Sequence, residues 1–77
     1  MAEYNLDITE DTCPITFVKT KLKLEEIAVG DLLTVRLRGG EPMINVPRSV
    51  EDHGHQIVER AHDVDGCHRL IIRKMRD

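Results

Sequence analysis

The sequence predicts an α+β fold: a two-layer α/β sandwich in the order β-α-β-α-β-β, with a four-stranded mixed sheet and two helices on one face. Three observations carry that expectation. Tyr4, Leu6 and Ile8 alternate with Asn5, Asp7 and Thr9, and Leu33, Val35 and Leu37 alternate with Thr34, Arg36 and Arg38; period two marks half-buried strands. Between these segments, apolar residues recur at helical spacing. Near the end, two apolar runs flank Asp65-Gly66, a dipeptide suited to a type I′ hairpin turn.

Each element has its own local justification. The first strand gives way to the polar loop Glu10-Asp11-Thr12, after which Pro14 stands at a favoured first helical position and Gly30 acts as the stop. The helix between them has two apolar edges, Ile15-Val18-Leu22 and Phe17-Leu24-Ile27, with Lys19 and Lys23 on the side between Ile15 and Ile27. After the second strand, Gly39-Gly40-Glu41-Pro42 reads as a turn. Asn45 is then placed to cap a short helix over about 46–53, with Pro47 in its first turn, Gly54 at the C′ position, and Val46 and Val50 inward. Residues 56–62 and 67–74 form the closing hairpin, with Ile57, Val58, Leu70, Ile71 and Ile72 as its apolar content. The first strand-helix-strand unit predicts parallel strands in a right-handed crossover, and the hairpin adds an antiparallel pair.

Seventy-seven residues make one domain, 1–77, with no linker or repeat. Such a chain buries only about 60% of its unfolded surface and is expected to be too small to enclose a pocket of the usual roughly 300–1,000 Å³. A composition of 40% apolar and 32% charged residues fits a folded domain rather than a disordered one. A net charge of −3 and the near absence of aromatic residues argue against nucleic acid as a partner. No apolar run approaches the ~20 residues of a membrane span, and the start of the chain lacks the pattern of a signal peptide. A cytoplasmic protein with no direct membrane contact is the expectation, with Cys13 and Cys67 as reduced thiols rather than a disulfide framework.

The chemistry centres on Cys13-Pro14-Ile15-Thr16. A residue preceding proline avoids the α region, so Cys13 becomes the N-cap of the helix that Pro14 begins. Its side chain would face the unpaired amides of the first turn, and because Pro14 has none, the donors are those of Ile15 and Thr16. Those donors and the positive end of the helix dipole favour a thiolate. The bland alternative is that Cys13 is a small buried hydrophobe.

The chain resembles the TusA/SirA-like family of small sulfur-carrier proteins from Leu6-Asp7 to Arg73-Lys74. The features that match are the Leu-Asp strand before the motif, Cys13-Pro14 opening a helix and Val29-Gly30-Asp31 closing it. The Leu32–Leu37 strand, Asn45-Val46-Pro47 before a short helix, Gly54-His55, and Leu70-Ile71-Ile72-Arg73-Lys74 follow in the same order. The resemblance implies that Cys13 accepts sulfane sulfur as a persulfide from a cysteine desulfurase or rhodanese-type donor. It would relay that sulfur to an acceptor protein in tRNA thiolation, cofactor maturation or sulfur oxidation. No bound cofactor is implied, and a monomer is expected; the protein would be an enzyme only as a sulfurtransferase-like carrier of a covalent intermediate. The resemblance also puts Phe17, Leu24 and Ile27 inward, which would leave Ile15, Val18 and Leu22 partly exposed beside the motif, with Val18, Lys19 and Leu22 as a candidate partner surface; a slight rotation of the helix that buries part of both edges is the alternative. The family motif is C-P-x-P, and Thr16 stands here in place of the second proline.

Other features have milder readings. Cys67 follows Asp65-Gly66 and reads as a passive strand residue rather than a resolving thiol. His53, His55, His62 and His68 lack the spacing of a zinc site, and no metal is expected. Lys21, Arg36, Arg38, Arg69, Arg73 and Arg76 supply local positive charge that suits either an anionic partner or a solvated face. Two rival functions remain: a non-catalytic interaction or regulatory module of the same fold, which the Thr16 departure favours, and a thiol-disulfide protein using Cys13 and Cys67, which the lack of C-x-x-C disfavours. Because Thr16 adds an amide donor that proline lacks, Thr16→Pro is expected to raise the pKa of Cys13 in a thiol titration. An unchanged or lower value would sink the idea that this amide stabilises the anion.

Overall fold

In the computed structural model, residues 2–11, 15–62 and 66–76 are described, apart from the side chains of Glu41 and Pro42. The elements are β1 (Glu3–Asp7), α1 (Ile15–Glu26), β2 (Leu32–Arg38), α2 (Glu41–Asp52), β3 (Gln56–His62) and β4 (Cys67–Arg73). They form one mixed sheet in the order β1-β2-β4-β3. β1 runs parallel to β2, with Tyr4 beside Leu33 and Leu6 beside Val35, while β4 runs antiparallel to both β2 and β3. The helices pack against each other and both against β2, so they share one face. This is the mixed, two-layer architecture the alternation predicts.

The core lies between that face and the helices. Leu33, Val35 and Leu37 of β2 meet Leu70 and Ile72 of β4, joined by Ile8, Leu24, Ile27, Val46 and Val50. Burial of a side chain of this size contributes roughly 1.5–3 kcal/mol. The inner face of α1 differs from an all-apolar stripe, because Thr16 and Thr20 are fully buried along with Leu24. The Thr20 hydroxyl donates to the carbonyl of Thr16 at 2.8 Å, which satisfies the buried polar group and leaves a methyl to pack. Phe17 is only partly buried against the core, while Ile15, Val18 and Leu22 remain 45%, 43% and 54% exposed.

One sequence expectation is corrected. The second helix does not begin after an Asn45 cap. It begins at Glu41, with Gly40 as N-cap at φ 88° and Pro42 in its first turn, so 39–42 is a helix start and not a turn. The amides of Met43 and Ile44 both reach the Gly40 carbonyl, at 3.1 and 3.2 Å. Pro42 and Pro47 are both compatible with a first turn, but the earlier one takes that place and Pro47 lies buried inside the helix. There its missing N–H removes one i→i−4 bond. Asn45 is an exposed helical residue. Val46 and Val50 do face the core, and Gly54, at φ 87° with its amide on the Glu51 carbonyl, ends the helix as expected. On the edge strand β3 the register shifts between Ile57 and Glu59, and Val58, at that shift, is 45% exposed. Bulges of this kind are common on edge strands, where they interrupt pairing. In the hairpin turn, Gly66 has φ 73°, while Asp65 lies outside the described residues.

The base of the sandwich is tied by Asp31 and Lys74, which are 8% and 4% exposed. The carboxylate of Asp31 accepts the amides of Ala2 and Ala28, each at 3.1 Å. Those two bonds hold its carboxyl below the ordinary value of 3.8, helped by the charge of Lys74. A carboxylate with a depressed folded pKa stabilises the fold at neutral pH, and that contribution disappears as pH falls through the folded value. Asp31→Asn is therefore expected to lower the urea midpoint at neutral pH and to narrow the gap to wild type below pH 3.8. An equal loss at both pH values would show that the carboxylate's charge plays no part.

Candidate functional site

Because β1 and β2 are parallel and β4 runs against them, one end of the sheet gathers the exit of β1, the Gly39-Gly40 helix start and the Gly66 turn. The carboxyl ends of parallel strands are where open α/β sheets characteristically bind ligands. The chain leaves β1 through Ile8, whose amide donates to the Arg36 carbonyl at 2.9 Å, and turns at Asp11, whose amide donates to the Ile8 carbonyl at 3.1 Å.

The exit segment is held on three sides. Asp7 accepts the amide and hydroxyl of Thr9 at 2.9 and 2.7 Å, with Arg36 Nη1 at 3.4 Å. The Thr9 amide, then its hydroxyl, and more weakly Arg36, keep the Asp7 carboxyl below 3.8. Arg38 Nε donates to the Thr9 carbonyl at 2.5 Å. From α1, Lys19 Nζ reaches both oxygens of Asp11, at 2.9 and 3.1 Å. Asp7, Thr9, Asp11, Lys19 and Arg36 border an open polar cleft of about 430 Å³. The motif follows directly in sequence, ahead of Ile15, the first residue of α1. Cys13 and Pro14 lie outside the described residues.

Of the other residues singled out from the sequence, Thr16 faces the core and Ile15 is exposed. Val18 and Leu22 lie exposed on α1, while Lys19 is engaged by Asp11 rather than standing open. Lys23 is drawn to Glu26 at 3.4 Å and over the Tyr4 ring. Cys67 is buried opposite Arg38, at the same end of the sheet as the exit of β1. The rings of His62 and His68 lie 4.5 Å apart across the hairpin, and the His53 ring lies tilted 5.5 Å from that of Phe17. Among the described residues, no group of three or more His, Cys, Asp or Glu side chains could hold a metal ion, and no helix is long and apolar enough to cross a membrane. Sequence reading missed the clasp that Lys19, Arg36 and Arg38 place on Asp11, Asp7 and Thr9. The Asp7-Ile8-Thr9 turn signal was available for it, but its long-range partners were not.

This fold is that of a SirA-like protein from Desulfitobacterium hafniense. Its crystal structure superposes with a TM-score of 0.82 at 23% identity, covering 95% of this chain and 99% of that one. The family model of the sulfurtransferase TusA matches residues 4–74, and the chain belongs to that family. Among curated relatives, a "Putative sulfur carrier protein" of Archaeoglobus fulgidus is 47% identical over 53 residues, 69% of this chain and 60% of that protein's length. Another of the same description, from Methanocaldococcus jannaschii, is 34% identical over 74 residues, 96% of this chain and 97% of that protein.

The clasp of Asp11 by Lys19 joins the exit segment to the helix that follows the motif. Lys19→Ala is expected to cost no more than about 1 kcal/mol in global stability, as exposed pairs do. It should nonetheless speed hydrogen exchange at the Asp11 amide. Unchanged exchange there would mean that the pair does not hold the segment.

Proposed function

We propose that this protein is a sulfur carrier that accepts sulfane sulfur as a persulfide on Cys13 and hands it to an acceptor protein. Membership of the TusA sulfurtransferase family over residues 4–74 carries the reading. The relatives described as sulfur carriers, and the position of Cys13-Pro14 between the clasped exit of β1 and the first turn of α1, support it. A thiolate before that turn would gain from the first-turn amides and from the positive end of the helix dipole. The loading step balances without an external oxidant. The Cys13 thiolate attacks the outer sulfur of a donor protein's cysteine persulfide, the donor's S–S bond breaks, and the donor cysteine leaves as a thiolate. The new terminal sulfur on Cys13 is anionic near neutral pH, so the same amides stabilise the loaded form. Unloading repeats the exchange on the acceptor.

The donor of this reading is a cysteine desulfurase or a rhodanese-type protein. The exposed apolar edge of α1, Val18 and Leu22, offers it a surface one and two turns beyond the motif. Exposed apolar patches commonly mark such contacts. The carrier works in the cytoplasm as a monomer. Incubation with a persulfide donor is expected to add the mass of one sulfur atom to the intact wild-type chain and nothing to Cys13→Ser. A wild type that gains no sulfur would leave the non-catalytic module as the better account, and gain in the variant would move the site away from Cys13.

A further inference from the structure

A second cleft, of about 360 Å³, opens between α1, the end of α2 and the C-terminal tail. Chain length alone leads one to expect no space of this size, yet it lies at the lower end of small-molecule sites. It is an open cleft shared by three segments, and so needs no enclosing wall. Its floor is apolar, built from Phe17, Leu24 and Val50. Three cations line it: Lys21 from α1, and Lys74 and Arg76 from the tail. Two carboxylates, Glu25 and Asp52, line it as well, so three positive and two negative groups leave one net positive charge.

The polar groups are set up to donate. Lys21 and Arg76 make no salt bridge or hydrogen bond among the described residues, although carboxylates line the same cleft. The stem of Arg76 lies across Gly54, where a Cβ would come within 2.6 Å of its Cδ. His55 accepts the Met75 amide on Nδ1 at 3.2 Å, so the proton of its neutral ring sits on Nε2 as a donor. His53 Nδ1 donates to the Ser49 carbonyl at 2.8 Å, and its ring stands 5.5 Å from that of Phe17. Burial, followed by repulsion from Lys74, His53 and Arg76, holds His55 below its ordinary 6.5.

From the apolar floor, the uncommitted cations and the single net charge, we propose that this cleft binds a small organic monoanion, a carboxylate with a compact apolar body. The apolar part would lie on Phe17, Leu24 and Val50, and the carboxylate between Lys21, Arg76 and the Nε2–H of His55. A bare dianion would leave the floor uncovered and exceed the charge available. The site involves neither Cys13 nor sulfur transfer.

Benzoate is the probe, with benzamide as its uncharged counterpart and inorganic phosphate as the anion without an apolar body, each titrated into the full chain and followed by NMR. Benzoate is expected to shift the resonances of Lys21, Val50 and His55. By linkage it should also raise the pKa of His55, because a bound anion offsets the repulsion there. Arg76→Glu and Lys21→Glu, both exposed changes, should each weaken benzoate by about tenfold or more, while Cys13→Ser should bind it as wild type does. The proposal is overturned if benzoate leaves the cleft unperturbed, if benzamide or phosphate binds equally well, if neither charge reversal weakens binding, or if the His55 pKa does not rise.

Discussion

The sandwich depends on a buried lysine. Lys74 Nζ donates to the Ile27 carbonyl at 2.7 Å and reaches that of Glu25 at 3.5 Å, at the end of α1 where helix carbonyls have no partners. A cation there also meets the negative end of the helix dipole. The backbone of Lys74 exchanges bonds with the start of β2: its amide donates to the Asp31 carbonyl at 3.0 Å, and its carbonyl accepts the Gly30 amide at 2.7 Å. Asp31 in turn holds Ala2 and Ala28. One residue thus joins the exit of β4 to the end of the first helix and the entry to β2, with Asp31 adding the beginning of the chain.

Fixing α1 at its C-terminal end has a consequence at the other. The rotation of α1 that buries Leu24 and Ile27 also buries Thr20 and Thr16 along the same face. Ile15, Val18 and Leu22 are thereby turned outward, next to the motif. The polar clasp of Asp7, Asp11, Lys19 and Arg36 borders the same region. An apolar edge and a charged rim suit brief contacts with larger proteins, which a carrier requires. The Phe17 side of α1 instead lines the cleft shared with α2 and the tail.

The strands were legible because alternation is a local signal and the sheet obeys it: Tyr4 and Leu6 are half-buried, and Leu33, Val35 and Leu37 are fully buried. The family was legible through Cys13-Pro14 and its distance to Gly30. Three things were not. Thr16 and Thr20 look polar in a sequence, and only the bond from one hydroxyl to the preceding turn makes that face a packing surface. The start of α2 was ambiguous between two prolines, each acceptable in a first turn. Lys74 looks like a solvent-facing charge at the chain's end, since nothing nearby in sequence shows that the carbonyls of Glu25 and Ile27 await it.

By itself, the sequence determined the order of elements, the mixed character of the sheet, and the inward faces of β2 and of α2 at Val46 and Val50. Each of these follows from spacing within one segment, where the periods of helix and strand and the restrictions of proline and glycine act locally. Tertiary structure alone decided which edge of α1 is covered and which carboxylates and cations clasp the segment leading to Cys13. It also decided that residues from Phe17 to Arg76 come together around one cleft. Those outcomes depend on partners far apart in sequence, as Lys74 is from Glu25 at 49 positions. Their pairing is set by packing the whole sheet, and no local pattern encodes it.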